Sequence, residues 1–374
     1  MNYALTAEEM KKCDESIMTV FGMPSASLME RAALGVFDAI EDEGFDASYT
    51  LIVCGSGNNG GDGFALARML YLAGYNTDVV FVGDKAKTTE ECSRQMDIYA
   101  RYGGVILTEI PEESYTLIID AIFGVGLSRE ITGKYYDVIK KLNAMDADKI
   151  AIDISSGTNA STGEICGISF MADLTVTMAF AKVGQLVYSG REYCGELLVA
   201  DIGIDENGFL GEYPNTFYMD DDDLLDLMPK KTDSSNKGTY GRVLCVTGSV
   251  NMAGASYLSA KAAYTAGCGL VEIFTPEENR PIIQQLLPEA ILSTYNEYTS
   301  LSEMLYPLME KSSVCVLGCG LGTQAKSREI TEYILESYTG PLIVDADGLN
   351  IISKSDKLRK LLTDFSHPLY ITPH

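Results

Sequence analysis

The sequence predicts an α/β protein of two domains, each built on a parallel sheet, and three observations predict it. Short runs of apolar, β-branched residues alternate with stretches of helical periodicity, the pattern of repeated strand–helix–strand units. The strand-like runs are apolar almost throughout, as strands covered on both faces must be. The alternation lapses once, between Gly203 and Thr239, and then restarts, in a chain whose 374 residues suffice for two domains.

The elements follow in order. TAEEMKKCDESIMTVF opens with Thr6 as an N-cap and Glu9 at the capping-box position, followed by apolar residues at helical spacing. Gly22 and Pro24 break this helix, and ASLMERAALGVFDAIEDE resumes as a second amphipathic one. YTLIVCG, from Tyr49 to Gly55, is the first strand of the sheet; a glycine-rich turn follows, then the helix GFALARMLYLAG. TDVVFVG, YTLIIDAIFG, KIAIDISSG and ADLTVTMAF read as further strands, with ECSRQMDIYARYG and REITGKYYDVIKKLNAM as helices between them. The second series runs through YGRVLCVTG, the Ala-rich helix ASYLSAKAAYTAG, VEIFTP, SVCVLGCGLG, PLIVDADGLN and LYITPH. The expected domains are therefore 1–210 and 239–374, joined by a linker at 211–238 that is rich in Asp, Asn, Gly, Pro and Ser. Within it the four acids Asp220 to Asp223 suit a solvated helix start, where carboxylates complement the dipole, better than a metal site.

Composition removes several classes of function. His occurs twice, at His367 and His374, so any chemistry in the first 360 residues must do without imidazole; Ser-His-Asp triads and His-ligated zinc are excluded there. With 53 acidic against 28 basic side chains the formal charge is −25, which opposes binding to nucleic acid or to an anionic membrane surface. A small anionic ligand remains possible, because backbone amides at a helix start hold phosphate locally. The nine cysteines are odd in number, show no C-x-x-C spacing and fall partly inside apolar strands, so they read as buried free thiols. With no apolar signal core and no run of ~18 apolar residues, the sequence reads as a reduced cytoplasmic protein with no membrane partner.

The densest chemical signal is CGSGNNGGDG, Cys54 to Gly63, at a strand–turn–helix junction. Gly55, Gly57 and Gly60 satisfy G-x-G-x-x-G, but a dinucleotide fold also wants an acid at the end of the next strand. Asp78 has the spacing yet stands at the start of TDVVFVG and not at its end, which weakens that reading without eliminating it. Physically, the glycines permit positive φ and close backbone approach, and Asn58, Asn59 and Asp62 offer oxygens to a ligand hydroxyl or a hard cation. The bland alternative is a tight turn whose Asn and Asp merely tolerate left-handed conformations. Asp120 and Asp153 end two more strands of the same sheet, where open α/β sheets place their ligand crevice. Asn59, Asp120 and Ser156 would meet there as an all-oxygen set, suited to a hard or monovalent cation and not to zinc.

LTAEEMKKCD, PSASLMERAA, GSGNNGGDGFALAR, DAIFGVGL, DISSG and ADLTVTMAFAKVGQ together resemble the NAD(P)H-hydrate epimerase family. KGTYGRVLCVTGS, AGAS, GLVEIFTP, GCGLG, VDADGLN and ITPH resemble the ATP- or ADP-dependent NAD(P)H-hydrate dehydratases. The chain thus resembles the bifunctional repair enzymes that carry both. The resemblance implies a Rossmann-like three-layer sandwich followed by an incomplete ribokinase-like α/β domain. It implies a small-molecule substrate, NADH or NADPH hydrated at C6 of the nicotinamide ring, whose R and S forms the first domain interconverts. Residues 58–62 (Asn58, Asn59, Gly60, Gly61, Asp62) and 124–130 (Gly124, Val125, Gly126, Leu127, Ser128, Arg129, Glu130) are its implied hydrate-binding segments. Asn59, Asp120 and Ser156 are the implied potassium ligands. Asp153 is the implied acid beside the ring and, without His, the best proton shuttle; Lys182 is a second choice. DISSG puts Ser155 where the family commonly has Pro.

For the second domain the implied hydrate contacts are Ala255, Gly320, Gly322 and His374, with ADP or ATP and Mg2+ as cofactors. The sequence ends at His374, directly after a strand and before the family's nucleotide-binding G-G-x-G-D segment, so this half is expected to be inactive as given. A homo-oligomer is expected. Two other classes compete: a nicotinamide-dependent oxidoreductase on the Gly55–Gly60 turn, and a non-catalytic interaction module with the same fold. The first predicts hydride transfer from intact NADH, the second indifference to replacing Asp153 or Asn59.

Overall fold

The computed structural model describes residues 2–228 and 235–373. The chain divides into two compact units, 1–227 and 228–374.

The first unit opens with strand β1 (Asn2–Leu5) and helices α1 (Ala7–Thr19) and α2 (Ser25–Asp42). There follow β2 (Tyr49–Cys54), α3 (Asn58–Ala73), β3 (Asn76–Phe81), α4 (Glu90–Arg101), β4 (Ile106–Leu107) and β5 (Leu117–Ala121). α5 (Lys134–Asn143), β6 (Asp148–Ile152), β7 (Leu174–Met178), β8 (Ala181–Lys182), the short helices α6 (Val183–Leu186) and α7 (Gly190–Cys194), and β9 (Glu196–Ala200) come next. β10 (Phe217–Tyr218) and α8 (Asp221–Leu227) close it. Seven strands form one sheet in the order β4-β3-β2-β5-β6-β7-β9, and every pair in it is parallel.

Because strand residues alternate between faces, the apolar strands feed two cores. Ile52, Cys54, Ile119, Ile152 and Val176 pack against Met10, Val36, Phe64 and Tyr99 of the first four helices. Leu51, Val53, Ile118 and Ala151 pack on the other face against Ile139 and Leu142 of α5. Each such Leu or Ile taken fully out of water contributes ~1.5–3 kcal/mol. A second, three-stranded sheet has β1 at its centre: Leu5 pairs in parallel with Lys182, and Asn2 pairs in antiparallel with Tyr218.

That small sheet moves the expected domain boundary. Residues 211–227 belong to the first unit, since β10 is hydrogen-bonded to the first strand of the chain. The acidic run forms the start of α8, where the Asp220 carboxylate accepts the Asp223 amide at 2.9 Å.

Sequence periodicity also placed the start of α3 too late. The helix begins at Asn58, so the glycine-rich stretch forms its first turns and not a loop before it. None of Gly55, Gly57, Gly60, Gly61 and Gly63 adopts a positive φ. For all of them but Gly57, which has open space beside it, the reason is close approach: a Cβ on Gly55 would lie 2.0 Å from the Ile122 carbonyl oxygen, and one on Gly60 2.0 Å from the Gly55 carbonyl oxygen. Asp78 lies within β3, opposite Leu51, and its carboxylate accepts from the hydroxyls of Tyr49 at 3.1 Å and Tyr115 at 2.8 Å. It serves the body of the sheet, so the acid that a dinucleotide-binding G-x-G-x-x-G would need is not supplied by Asp78.

The second unit carries β11 (Arg242–Val246), α9 (Ala253–Thr265), β12 (Leu270–Pro276), α10 (Arg280–Leu286), β13 (Ile291–Tyr295), α11 (Leu301–Met304) and α12 (Tyr306–Lys311). β14 (Val314–Leu317), α13 (Ala325–Ser337), β15 (Leu342–Asp345), α14 (Asp347–Ser353), α15 (Asp356–Thr363) and β16 (Leu369–Thr372) complete it. Its six strands run parallel in the order β13-β12-β11-β14-β15-β16. Leu244, Val246, Leu317 and Val344 meet Ile330, Ile334 and Ile352 on one face, while Cys245, Val271 and Ile273 meet Ala260 and Ile283 on the other. All nine cysteines are free thiols, and among the described residues no helix is long and apolar enough to cross a membrane.

Candidate active site

In the first unit the carboxyl ends of β2, β5, β6 and β7 open on a cavity of about 690 Å³. Each strand delivers its chemistry at the point where the apolar run stops. After β2 come Ser56, Gly57, Asn58, Asn59 and Asp62; after β5 come Ile122 through Arg129; after β6 comes Asp153. Met178 ends β7 and Lys182 lies in β8; Met10, Asp14 and Met18 of α1, Ser25, Leu28, Met29 and Ala32 of α2, Thr89 and Glu91 at the start of α4, and Ile202 complete the lining.

Asp153 is held in place from several directions. Its φ of +67° is a left-handed conformation, which costs a non-glycine residue energy and persists only where the surroundings enforce it. Here its amide donates to the Val176 carbonyl at 2.8 Å, and its carbonyl accepts Gln185 Nε2 at 2.7 Å. Its Oδ1 accepts Lys182 Nζ at 2.5 Å and, at 3.3 Å each, the Thr177 hydroxyl and the Met178 amide. Lys182 is fully buried, and its ammonium spends its other protons on Thr177 Oγ1 at 2.8 Å and the Met178 carbonyl at 3.1 Å. With all three donors engaged, Lys182 orients Asp153. Asp153 Oδ2 lies on the cavity side, 3.8 Å from where a Cβ on Gly124 would stand.

Asn59, Asp120 and Ser156 meet as the sequence suggested, one layer behind the cavity surface. Asp120 Oδ1 accepts the Ser156 hydroxyl at 2.7 Å and the Ile122 amide at 3.1 Å, and its Oδ2 accepts the Ser156 amide at 2.7 Å. Complete burial pushes this carboxyl up to about 6, against the pull of those three hydrogen bonds. Asn59 Nδ2 donates to the Phe123 carbonyl at 3.0 Å, and the Ser156 hydroxyl lies 3.3 Å from the same oxygen. Asn59 Oδ1 is buried with no hydrogen-bond partner. An orphaned buried oxygen beside a carboxylate, a carbonyl and a hydroxyl has the donor chemistry of a site for a hard cation such as potassium.

Not every expected residue reaches the cavity. Asn58, Asn59, Asp62, Gly124, Val125, Gly126, Leu127, Ser128, Arg129 and Asp153 line it. Gly60 and Gly61 are packed inside α3, and Glu130 is exposed and lies outside the lining. Sequence reasoning missed Asp14, Met10 and Met18, whose helical spacing signals an amphipathic helix and nothing more. Burial pushes the Asp14 carboxyl up to about 6; the Lys182 ammonium pulls against this and the Asp153 carboxylate adds to it. Asp62 is driven well above the usual carboxylate range by burial first, then by Asp153 and Asp14.

In the second unit Ala255 and Gly320 touch: a Cβ on Gly320 would lie 2.5 Å from the Ala255 Cβ. Gly320 and Gly322 both take left-handed φ values, +63° and +72°, in the turn after β14, and the Gly322 amide donates to Asp347 Oδ2 at 2.8 Å. Ala255, Gly320 and Gly322 therefore gather at the carboxyl ends of β11, β14 and β15, while His374 lies outside the described residues.

Residues 25–184 match the family described as YjeF-related protein N-terminus, and residues 243–374 match the family described as NAD(P)H-hydrate dehydratase. An NAD(P)H-hydrate epimerase of Levilactobacillus brevis is 42% identical over 205 residues, which cover 54% of this chain and 95% of that protein. A bifunctional NAD(P)H-hydrate repair enzyme of Moorella thermoacetica is 32% identical over 391 aligned residues, covering 100% of this chain and 73% of the relative. Its counterpart from Coxiella burnetii is 31% identical over 357 residues, 95% of this chain and 72% of that protein.

Proposed function

The chain belongs to the bifunctional NAD(P)H-hydrate repair enzyme family, and we propose that its first unit interconverts the R and S hydrates of NADH and NADPH in the cleft around Asp153. One observation carries this reading: the glycine-rich start of α3, the segment Gly124–Arg129 and Asp153 converge on one cavity, beside a carboxylate pinned by a buried ammonium. α3 begins at Asn58 with no side-chain cap on its first amides, which suits a ligand phosphate, and Arg129 adds a cation at the same cavity.

Asp153 stands beside C6 of the hydrated ring. When the hydroxyl leaves with the C6–O electron pair, the ring nitrogen shares its lone pair with C6 and the ring becomes cationic. A fixed carboxylate stabilises that charge, and its open Oδ2 accepts a proton from the water that returns. Potassium would be held by Asn59, Asp120, Ser156 and the Phe123 carbonyl, and would supply a fixed positive charge that ties the loop after β5 to α3. The second unit acts on the S hydrate with ADP or ATP and Mg2+, its contacts lying at Ala255, Gly320, Gly322 and His374. The expectation that this unit is inactive finds no support: residues 243–374 match the dehydratase family. The nine free thiols suit the reducing cytoplasm.

The decisive experiment incubates the full chain with separated R and S hydrates, with and without potassium, and follows interconversion by chiral chromatography. Interconversion faster than the uncatalysed rate, lost in Asp153→Asn, is the expected result; indifference to that substitution would refute the role of Asp153. ADP or ATP is then added and NADH absorbance followed. Hydride transfer from intact NADH to a carbonyl substrate would favour an oxidoreductase instead.

A further inference from the structure

The same cavity holds a carboxyl, Asp14 at the end of the motif LTAEEMKKCD, to which the sequence pattern assigns no role. Met10, Asp14 and Met18 stand four residues apart on α1, so they form one stripe along the helix, and that stripe faces the cavity. Asp14 is its only polar member. Among the described residues its carboxyl has no hydrogen bond and no ion pair, although it is largely withdrawn from water. Lys182 and Asp153 act on it electrostatically and it acts on Asp62, while Glu91 and Arg129 are the other charged residues of the same cavity. Its placement is not casual. β1 runs alongside β8 with Leu5 opposite Lys182, and Thr6 then caps α1, its hydroxyl accepting the Glu9 amide at 3.3 Å while the Glu9 carboxylate accepts the Thr6 amide at 2.8 Å. Asp14 follows two turns later, so its position is referred to the lysine that pins Asp153.

Within the epimerase reading, on which this rests, we propose that Asp14 is a catalytic residue: the acid that protonates the departing C6 hydroxyl. The step balances without a co-reactant. Asp14 gives its proton to the hydroxyl, the C6–O bond breaks toward oxygen, water is released, and the nitrogen lone pair forms a double bond to C6. Water then adds to C6 from the side of Asp153, which takes its proton, and the double bond returns its pair to nitrogen. Departure toward one carboxyl and return from the other place the two events on opposite faces of the ring, which inverts C6. The reverse passage moves the proton back, and solvent in the open cleft resets the pair. The division of labour follows the environments. Asp153 is the ion-paired carboxylate, whereas Asp14, unpaired and raised to about 6, both holds and releases a proton near neutrality. Asp62, raised first by burial and then by Asp153 and Asp14, lines the same cavity.

The test uses the full chain, with initial rates of R-to-S and S-to-R conversion measured for the wild type, Asp14→Asn and Asp14→Ala. Asp14→Asn is expected to lower kcat by ~10²-fold or more with KM within about threefold, and added formate is expected to restore part of the activity of Asp14→Ala. Interconversion by Asp14→Asn within a few-fold of the wild type overturns the proposal. So does a loss that appears in KM alone, or one that formate leaves untouched in a folded Asp14→Ala. If neither variant folds by circular dichroism and thermal melting, Asp14 anchors α1 instead of moving protons, and the proposal is overturned. Failure of the wild type itself to interconvert the hydrates marks a different error, in the epimerase reading.

Discussion

The two units share an architecture, a parallel sheet with helices on both faces, yet they furnish their strand ends differently. The first unit places four carboxyls and two cations, Asp14, Asp62, Glu91 and Asp153 with Lys182 and Arg129, around one cavity. At the corresponding edge of the second, the neutral groups Thr247, Ser256, Thr275 and Asn279 hydrogen-bond to one another, and Asp345 and Asp347, at and just past the end of β15, are engaged by Cys319 and the Gly322 amide. The residues gathered there include small ones, Ala255, Gly320 and Gly322, that leave room at the strand ends. A unit that must move protons with its own side chains carries titratable groups.

That contrast can be broken at several points. The largest effect is expected from Asp153→Asn, which should lower interconversion by ~10³-fold and leave nucleotide-dependent NADH formation from the S hydrate unchanged. Lys182→Met leaves the Asp153 carboxylate without its cation and should cost about 3 kcal/mol in chemical denaturation, the low end for a broken buried pair, because Oδ2 still faces the cleft. Gly320→Val meets both a positive φ and the Ala255 side chain, so it should suppress dehydration while interconversion rates stay within twofold. Replacing potassium with choline should slow interconversion by about tenfold and leave thermal melting of the second unit where it was.

The smallest effect is thermodynamic. A carboxyl whose native pKa is raised holds its proton more tightly folded than unfolded. It therefore favours the fold at acid pH and loses that contribution as pH climbs from ~4 through about 6. Asp14→Asn should accordingly melt a few degrees above the wild type at pH 8 and converge with it near pH 4. Asp120 titrates in the same window, so the quantity to read is the difference between the two proteins.

Local signals were legible in the sequence; assembled ones were not. The strands, the cluster of Asn59 with Asp120 and Ser156, and Asp153 could be read because each sits directly after an apolar run, where a parallel sheet exposes its carboxyl ends. The glycines of CGSGNNGGDG could be found but not explained, since a need for positive φ and a need for a missing Cβ leave the same letter. Asp14 closes the motif LTAEEMKKCD, but its place at the cavity was not legible, for a different reason. On α1 it is one polar residue among many, and only the pairing of Leu5 with Lys182, 177 positions apart in the chain, turns it toward the cavity. The extent of the first unit was missed likewise, because Phe217 and Tyr218 look like linker until their partners, Tyr3 and Asn2, are known.

The small sheet around β1 carries a consequence for how the protein is made. Residues 2–5 emerge from the ribosome early, but their partners at 181–182 and 217–218 are synthesised far later. Until then α1 has no register against Lys182, and Asp14 and Asp153 belong to a cleft with one wall missing. The seven-stranded sheet can form in large part beforehand, so a nascent chain can be compact and still chemically idle. Closure of the clasp between the first and last strands of the unit is the event that arms it.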